Sequence, residues 1–497
     1  MNMKRNTIAI FLCLFALTGL VYARDIYVNP NTGNDSADGL APTATGLSGP
    51  VKTINQAVQL ARPGDTIYLG GATFKGNGEH IGFYGTKSGE PGKPIIVDGQ
   101  GAVIDGSVPL KLADWQQVSA GLYRNTTIFP EVLHSHEDWM LRFCFIFNGK
   151  LNRMGHSLKA PSIPYKKPEE LQPGEWTYQK DEQAFYIKID PTGKLGDYNI
   201  EFPIVVTGVQ VHGTISHLVF KNITVTHVIN DAFALTIGDK LGSVVRDILY
   251  KDCKAINVCD DGLSAHGDCD ITVDGFLADD CSTGLASQGS SVNNRVVTRN
   301  IHGVDVFFGC GKHVITNSYF DCTGRQAPIR LEVWDNPYGT NYCHLILENV
   351  VVKGNNIGSN VIQLNGRSTL LECRQVTISG LSVSKKSGAF LRLSNSIVGG
   401  GSAFGIDVDS ASNWQADKNI YDIGHIGIDQ ISYIEKDFDT YKKAIGKGLV
   451  PKWGKDLESK WMKVNIDQLL DSTRRPSDID KTIGADMSLI PKPETKK

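Results

Sequence analysis

Acidic, histidine and cysteine side chains are concentrated in residues 259–270, which read CDDGLSAHGDCD. Aspartates at this density serve a turn, a metal site or an acid–base site, and the surrounding strands decide between them. Asp260 and Asp261 open a short alternating run that His266 closes. We expect His266 to face an exposed surface that Asp261 also enters, with Asp260 at the adjoining turn.

A carboxylate pair is predicted on the same surface, one repeat unit apart. Side chains alternate along a strand, so aligning the inward apolar residues of successive units sends Asp305 and Glu332 outward. Adjacent units lie about 4.8 Å apart, which places the two carboxyl groups on the order of 5–7 Å from each other. Glycoside hydrolysis uses two carboxyl groups, about 5–5.5 Å apart for retention and about 6.5–9.5 Å apart for inversion. We predict Asp305 and Glu332 as the catalytic pair and Asp261 as the third candidate, with the stereochemistry left open.

Other polar and aromatic residues near this face are predicted to bind substrate. Arg330 would hold a neighbouring carboxylate ionised or bind an acidic sugar. The predicted substrate-binding residues are His266, Gln288, His302, Arg330 and Trp334.

A recurring pattern positions these residues. Each unit has a short alternating strand, a turn with Asn, Asp or Gly, a second short strand and a third strand nearby. Short strands that recur about every 20 to 40 residues without helices between them predict a solenoid of parallel β-coils. The clearest units lie at 217–228, 244–257, 270–284, 313–325, 344–356 and 374–388.

The N-terminal stretch extends this pattern. Residues 25–39 read DIYVNPNTGNDSADG, and a short amphipathic helix is predicted over Ile54–Ala61 before a first coil. Together with the repeat, this resembles the right-handed parallel β-helix proteins of the pectate-lyase-like superfamily. The resemblance implies a secreted enzyme that acts on polysaccharides. The stretch from Pro173 to Tyr178 is similar to one found in inserts of glycoside hydrolases in this superfamily.

The predicted fold class is all-β: a right-handed parallel β-helix with an inserted antiparallel β-domain and a partly helical C-terminal tail. The last dozen residues are polar and rich in Pro and Lys, so we expect them to be disordered. The predicted segments are a signal peptide (1–23), an N-terminal cap with the first coils (24–106), the insert (107–203), the main β-helix (204–410) and a capping tail (411–497).

Two other functions remain open. Polysaccharide lyases of this superfamily place Ca²⁺ among carboxylates and use Arg or Lys as base. Asp231, Asp260 and Asp280, together with Asp261, would then be candidate metal ligands, and Arg330 or Arg325 the base; a hydrolase would need no cofactor. Three dipeptides resemble motifs of polygalacturonase-type hydrolases: Asp260-Asp261, His266-Gly267 and Arg330-Leu331. Their order and spacing are compressed relative to that family. A non-catalytic glycan-binding solenoid is the third reading, yet the repeats are irregular and no surface anchor is recognisable.

Composition and the N-terminus indicate a compartment. Lys4 and Arg5 precede a short apolar run from Ile8 to Leu20, and cleavage is predicted after Ala23, which is typical of a signal peptide. We therefore expect a secreted or periplasmic monomer without membrane insertion. The formal charge is −3, which argues against nucleic-acid binding.

The cysteines favour packing over cross-linking. Nine of the 10 cysteines remain after cleavage of the leader that holds Cys13, and an odd number argues against a closed disulfide framework. Two series, one of Cys253, Cys281 and Cys322 and one of Cys269, Cys343 and Cys373, predict interior ladders of free thiols.

Overall fold

The protein is described from a computed structural model. The described residues are 23–46, 48–76, 78–128, 140–156, 162–240, 242–322, 327–333, 341–354, 361–386, 388–409, 413–445, 456, 458–471 and 473–492. Most of the predicted signal peptide, residues 1–22, lies outside them.

One helix and five strands form the N-terminal part. The predicted helix is confirmed: Thr53 caps it by accepting a hydrogen bond from the Gln56 N–H (3.2 Å). Its buried residues Ile54, Ala57 and Val58 face the core. The elements are β1 (Asp25–Tyr27), α1 (Ile54–Leu60), β2 (Thr66–Tyr68), β3 (Thr73–Lys75), β4 (Ile81–Gly85) and β5 (Ile95–Asp105).

The insert forms two four-stranded antiparallel sheets, ordered β10-β9-β13-β6 and β11-β12-β8-β7. Their aromatic core contains Phe143, Phe145, Trp176 and Phe185, and Ile229 of the solenoid packs into it. The insert is therefore docked on the β-helix rather than tethered to it. Its strands are β6 (Ser107–Pro109), β7 (Gln116–Ser119), β8 (Leu122–Asn125), β9 (Phe145–Phe147), β10 (Lys150–Asn152), β11 (Trp176–Gln179), β12 (Ala184–Lys188) and β13 (Ile200–Pro203).

The remaining strands continue the parallel solenoid that β1 to β5 begin, and within the described ranges 27 strands join one sheet system. The predicted all-β parallel β-helix is confirmed. The strands are β14 (Val209–Gly213), β15 (Ile215–Thr226), β16 (Phe233–Ile237), β17 (Val245–Ile256), β18 (Asp261–His266), β19 (Cys269–Asp279), β20 (Thr283–Ser287), β21 (Ser290–Arg299), β22 (Val304–Phe308), β23 (Gly311–Asp321), β24 (Ile329–Glu332), β25 (Cys343–Lys353), β26 (Val361–Asn365), β27 (Thr369–Arg374), β28 (Thr377–Ser379), β29 (Ser382–Lys386), β30 (Phe390–Ser394), β31 (Ile397–Val408), β32 (Trp414–Asp417) and β33 (Ile420–Ile428).

The long strands turn a corner at a residue in the left-handed region. Asn222, Asp252, Asn317 and Asn349 have φ between 49° and 56°, and Asn and Asp tolerate this conformation better than other non-glycine residues. The Asn349 side-chain amide donates to the Asn317 side-chain carbonyl of the coil below (2.8 Å). The turn residues seen in the repeat therefore build one edge of the solenoid.

The cysteine prediction is right about burial and wrong about stacking. Cys253 pairs in register with Phe276, and Cys373 pairs with Leu347, so neither series forms a continuous ladder. Among the described residues, seven buried cysteines take no part in a disulfide: Cys253, Cys269, Cys281, Cys310, Cys322, Cys343 and Cys373.

The C-terminal residues close the end of the solenoid. Parallel pairing of β31 with β33 extends to Ile428, so the coils continue beyond the predicted boundary at 410. Tyr421 and Tyr441 both donate to the buried Asp456 carboxylate (3.0 and 2.6 Å), whose pKa is raised by burial. The tail elements are β34 (Ile431–Tyr433), α2 (Phe438–Ile445), β35 (Lys460–Trp461) and α3 (Ile466–Leu469).

Residues 484–492, the C-terminal strap, run back along the outside of the coils. Ala485 N–H donates to the Thr377 hydroxyl (2.9 Å) and Asp486 N–H to the Asn349 side-chain carbonyl (2.6 Å). Met487 is 6% exposed and packs in a cluster with Val297, Tyr319 and Val351. The disorder prediction is therefore wrong for 486–492, and 493–497 lie outside the described residues.

Candidate active site

Three aspartates converge where two neighbouring strands begin. Asp231 lies two residues before β16, Asp260 immediately before β18, and Asp261 is the first residue of β18. Parallel pairing of Phe233 with Leu263 sets these starts side by side. One carboxylate oxygen from each aspartate lies within 4.8 Å of those of the other two. These residues, named the aspartate trio here, are only 1–3% exposed.

The insert contacts the trio directly. Arg142 places its Nε 2.8 Å from an Asp260 oxygen and donates to the Asn230 side-chain carbonyl (2.5 Å). A disulfide joins Cys144 to Cys259, the residue before Asp260. A guanidinium group beside clustered carboxylates offsets part of their mutual repulsion.

An outward strip of side chains starts beside the trio. The Ser264 hydroxyl of β18 donates to the Asp231 carboxylate. Ser264 and its neighbours Ala234 and Ala286 are small and buried, so polar groups are offered mainly by the flanking positions. The strip has two columns set by strand register: Gln210, Ala234, Ser264, Ala286, Phe307, Arg330 and Gln363, and His212, Thr236, His266, Glu332 and Asn365.

The predicted outward position of Asp305 is wrong. Ala286 pairs with Phe307, so Asp305 lies two residues earlier than predicted, where the chain enters β22. Its side chain points inward, accepts a hydrogen bond from the buried Thr298 hydroxyl (2.6 Å) and is 1% exposed. Burial raises the pKa of Asp305 to about 7, against hydrogen bonds from Thr298 and Cys322 that lower it. Since this carboxyl group faces the interior, it does not form a surface pair with Glu332.

Glu332 is on the strip as predicted, and it pairs with a cation on its own strand. Arg330 lies 2.9 Å from a Glu332 oxygen and stands over the Phe307 ring, 4.9 Å from its centroid. His266 is exposed at the end of β18. Gln288 accepts a hydrogen bond from the Gly267 N–H beside it (3.0 Å). Arg325 and Trp334 lie outside the described residues.

Asp280 and His302 form a separate cluster with Arg153 of the insert. Arg153 Nη1 and His302 Nε2 each lie 2.6 Å from the same Asp280 oxygen. Burial raises the pKa of Asp280, but the His302 hydrogen bond and the Arg153 charge outweigh it and lower the pKa to about 2. Arg153 also donates to the Val258 and Asp280 carbonyls (2.5 and 2.9 Å). Asp280 thus holds the insert on the solenoid, while Asp261 joins Asp231 and Asp260.

A second acidic cluster has its own cation. Oxygens of Asp105 and Glu201 and a ring nitrogen of His227 lie within 4.8 Å of one another. The Lys75 ammonium lies 3.0 Å from Asp105 and 2.9 Å from Glu201. This cluster therefore joins the first coils to the last strand of the insert by ion pairs, and we assign it no metal.

Sequence reasoning missed the contribution of the insert. Arg142, Arg153 and the Cys144–Cys259 disulfide lie near the trio only in three dimensions, and no repeat pattern relates them. One signal was present: Cys144 and Cys259, together with Cys310, lie outside the two cysteine series. In the described part of the chain, no helix has the length and apolar character needed to cross a membrane.

No protein-family model matches the chain, and no curated protein matches it. A solved structure named "Glycoside hydrolase" is similar, with a TM-score of 0.51, 12% identity and coverage of 82% of this chain and 97% of that chain. At this identity the likeness shows a shared fold.

Two further solved structures have TM-scores under 0.5 and carry no inference. One is titled as XylC with xylose (TM-score 0.47, 13% identity, 88% of this chain and 82% of that chain). The other is a GH136 lacto-N-biosidase from Eubacterium ramulus (TM-score 0.33, 10% identity, 81% of this chain and 65% of that chain).

Proposed function

We propose that the protein is a glycoside hydrolase whose acid–base groups are drawn from Asp231, Asp260 and Asp261. The observation that carries this proposal is the convergence of three carboxylates within 4.8 Å at the edge of a polar strip. Glycosidic bond cleavage needs one carboxyl group that donates a proton and a second that acts as base or nucleophile. The trio supplies both from neighbouring coils without a cofactor.

The spacing within the trio agrees with this chemistry. One oxygen from each carboxylate lies no more than 4.8 Å from those of the other two, which is too close for the separation of about 6.5–9.5 Å that inverting enzymes need. We therefore expect products that retain the anomeric configuration. A carboxyl group close to a second carboxylate keeps its proton more readily, which is the usual way to prepare a general acid.

Arg142 controls access in this proposal. Its side chain is 20% exposed and that of Asp260 is 2% exposed, so the arginine is the solvent-facing part of their ion pair. A rotation of this side chain would open the carboxylates to a glycan bound on the outward strip. His266, Gln288, Arg330 and Glu332 then lie beside the glycan, where they position it.

The similar fold named "Glycoside hydrolase" agrees with the proposal, although a shared fold does not fix a function. The substrate class, a neutral or uronic-acid polysaccharide outside the cytoplasm, is part of the proposal.

The test is a digestion of neutral and uronic-acid polysaccharides, followed by reducing ends and by the ultraviolet absorbance of unsaturated products. Asp231→Asn, Asp260→Asn and Asp261→Asn are nearly isosteric. Loss of a general acid or base should reduce kcat/KM by about 10²–10⁴-fold while the thermal midpoint stays near wild type. Asp270→Asn, at an exposed position of β19, is the matched control and should keep wild-type turnover.

Two outcomes would overturn the assignment. Trio variants that are folded and turn over within a few-fold of wild type would remove the carboxylates from catalysis. Unfolding of all three variants would assign the trio to docking of the insert.

A Ca²⁺-assisted lyase is the second candidate, because three clustered carboxylates also suit a cation. The fit is incomplete: Arg142 already lies on Asp260, and Ca²⁺ needs about six to eight oxygens. A chelator that abolishes activity, together with unsaturated products and loss of activity in Arg330→Ala, would favour this candidate. Full activity with a chelator would support the cofactor-free hydrolase.

A further inference from the structure

An exposed aromatic ring extends the outward strip into the first coils. Tyr84 of β4 pairs in register with His212 of β14, which pairs with Thr236, which pairs with His266. Tyr84 therefore occupies the second column of the strip, three coils from His266. The residue is 53% exposed, unlike the apolar side chains that form the core.

The ring of Tyr84 lies against its own strand by one edge. A Cβ atom on Gly82 would meet Tyr84 Cε2 and would lie 3.0 Å from its hydroxyl oxygen, so the edge that carries these atoms packs against the glycine. The Tyr84 hydroxyl is 3.1 Å from His80 Nε2, which fixes the outer end of the ring. The ring is thus held by one edge, and about half of the residue is exposed to solvent.

We propose that Tyr84 is a stacking platform for one pyranose unit of a glycan that lies along the outward strip. This inference rests on the proposed function and adds a binding site away from the point of cleavage. A pyranose ring has an apolar face of C–H groups that covers an aromatic ring, while its hydroxyl groups need polar partners. His212 and Thr236 offer such partners on the next two coils.

The spacing sets the length of glycan required. Three steps of about 4.8 Å separate Tyr84 from the level of β18, a span of about 14 Å before the offset towards the trio is added. One coil-to-coil step is on the order of one sugar unit. An oligosaccharide must therefore reach roughly three units beyond the cleaved bond to touch Tyr84.

The first experiment measures binding by affinity electrophoresis in gels that contain xylan, arabinan, mannan or polygalacturonic acid. Loss of an aromatic stacking contact of about 0.5–1.5 kcal/mol predicts that Tyr84→Ala weakens retardation by about 2- to 12-fold. Tyr84→Phe keeps the ring face and should stay within about two-fold of wild type. Gly82→Ala should behave like Tyr84→Ala, because the new methyl group displaces the ring.

Tyr342→Ala is the matched control, since this tyrosine is also exposed (45%) and lies outside the strip. Equal retardation of wild type and Tyr84→Ala in every gel that retards wild type, or no retardation of wild type in any gel, would overturn the proposal.

The second experiment separates this inference from the proposed function. With a hydrolysed polymer, Tyr84→Ala should raise KM and leave kcat within about two-fold, and the increase in KM should vanish for substrates too short to span the distance. Retardation that depends on Tyr84 without hydrolysis of any polymer would uphold the platform and refute the enzyme. Hydrolysis that depends on the trio, with the same polymer KM in Tyr84→Ala and wild type, would refute the platform alone.

Discussion

Asp305→Asn should change how the stability of the protein depends on pH. In the folded protein the pKa of Asp305 is raised from 3.8 to about 7 by burial. Between these values the folded state holds a proton that the unfolded state has released, so stability falls as pH rises through this window. Asparagine has no proton to lose and can still accept a hydrogen bond from Thr298.

The expected size follows from the shift. A difference of about three pKa units corresponds to about 4 kcal/mol, an upper value for this group. With an unfolding entropy of about 2.1 cal/mol/K per residue, this equals about 4 °C in the thermal midpoint of a chain of this length. The Asn variant should therefore match the wild type near pH 4 and exceed it by up to about 4 °C near pH 8.

A second buried group acts in the opposite direction. Burial lowers the pKa of His313 from 6.5 to about 4, so its contribution destabilises the folded state as pH falls through that window. The contribution of Asp305 to the pH dependence of stability therefore cannot be read from the wild-type profile alone. The difference between Asp305→Asn and wild type isolates this contribution because the histidine contribution cancels.

The assay is the thermal midpoint of wild type, Asp305→Asn and the exposed control Asp270→Asn from about pH 4 to pH 8, together with turnover. The Asp270→Asn profile should run parallel to that of wild type. Parallel profiles for Asp305→Asn as well would refute the burial argument. Loss of turnover in a folded Asp305→Asn protein would restore the catalytic role that the inward orientation removes.

Three other substitutions test the architecture. Cys144→Ser removes the cross-link to Cys259 and should lower stability by about 2–5 kcal/mol, as should a reductant applied to wild type; an unchanged thermal midpoint in reductant would contradict this. Asn349→Ala removes hydrogen bonds to the C-terminal strap and should speed limited proteolysis there. An unchanged cleavage rate would show that these hydrogen bonds do not hold the strap on the coils. Gly284→Ala sets a methyl group 2.7 Å from Thr298 Cγ2 and should lower the free energy of unfolding by about 1–3 kcal/mol. A urea midpoint equal to that of wild type would show that the surrounding residues move to make room.

The coils could be predicted from sequence because each repeats the same local choices. Alternation sets which side chains enter the core, and Asn or Asp at a left-handed corner marks where β15, β17, β23 and β25 bend. Both signals are local, so they can be read from the sequence without knowing which strands pair. The strand register was harder to predict, since it depends on how many residues each corner takes up.

The candidate site was predicted only in part for the same reason. His266, Arg330 and Glu332 lie mid-strand or at a strand end and kept their outward positions. Asp305 lies at a strand start, where the chain is still turning, so alternation does not fix the direction of its side chain, which points inward to Thr298. The contact of Arg142 with Asp260 joins the insert to the solenoid. The two parts have unrelated sequence patterns, so no periodicity predicts this contact.

The C-terminal strap has a consequence for how the chain is made. A polypeptide emerging from the ribosome or a secretion channel can stack its coils in order, because each coil needs only the one before it. The stripe formed by Val297, Tyr319 and Val351, however, is covered by residues of the strap, which are synthesised after the coils that they cover. Until those residues dock, this apolar stripe of the nascent protein is exposed to solvent. Exposed apolar surfaces promote self-association. A chain that stalls or is cleaved before the strap would therefore have complete coils and would still tend to aggregate.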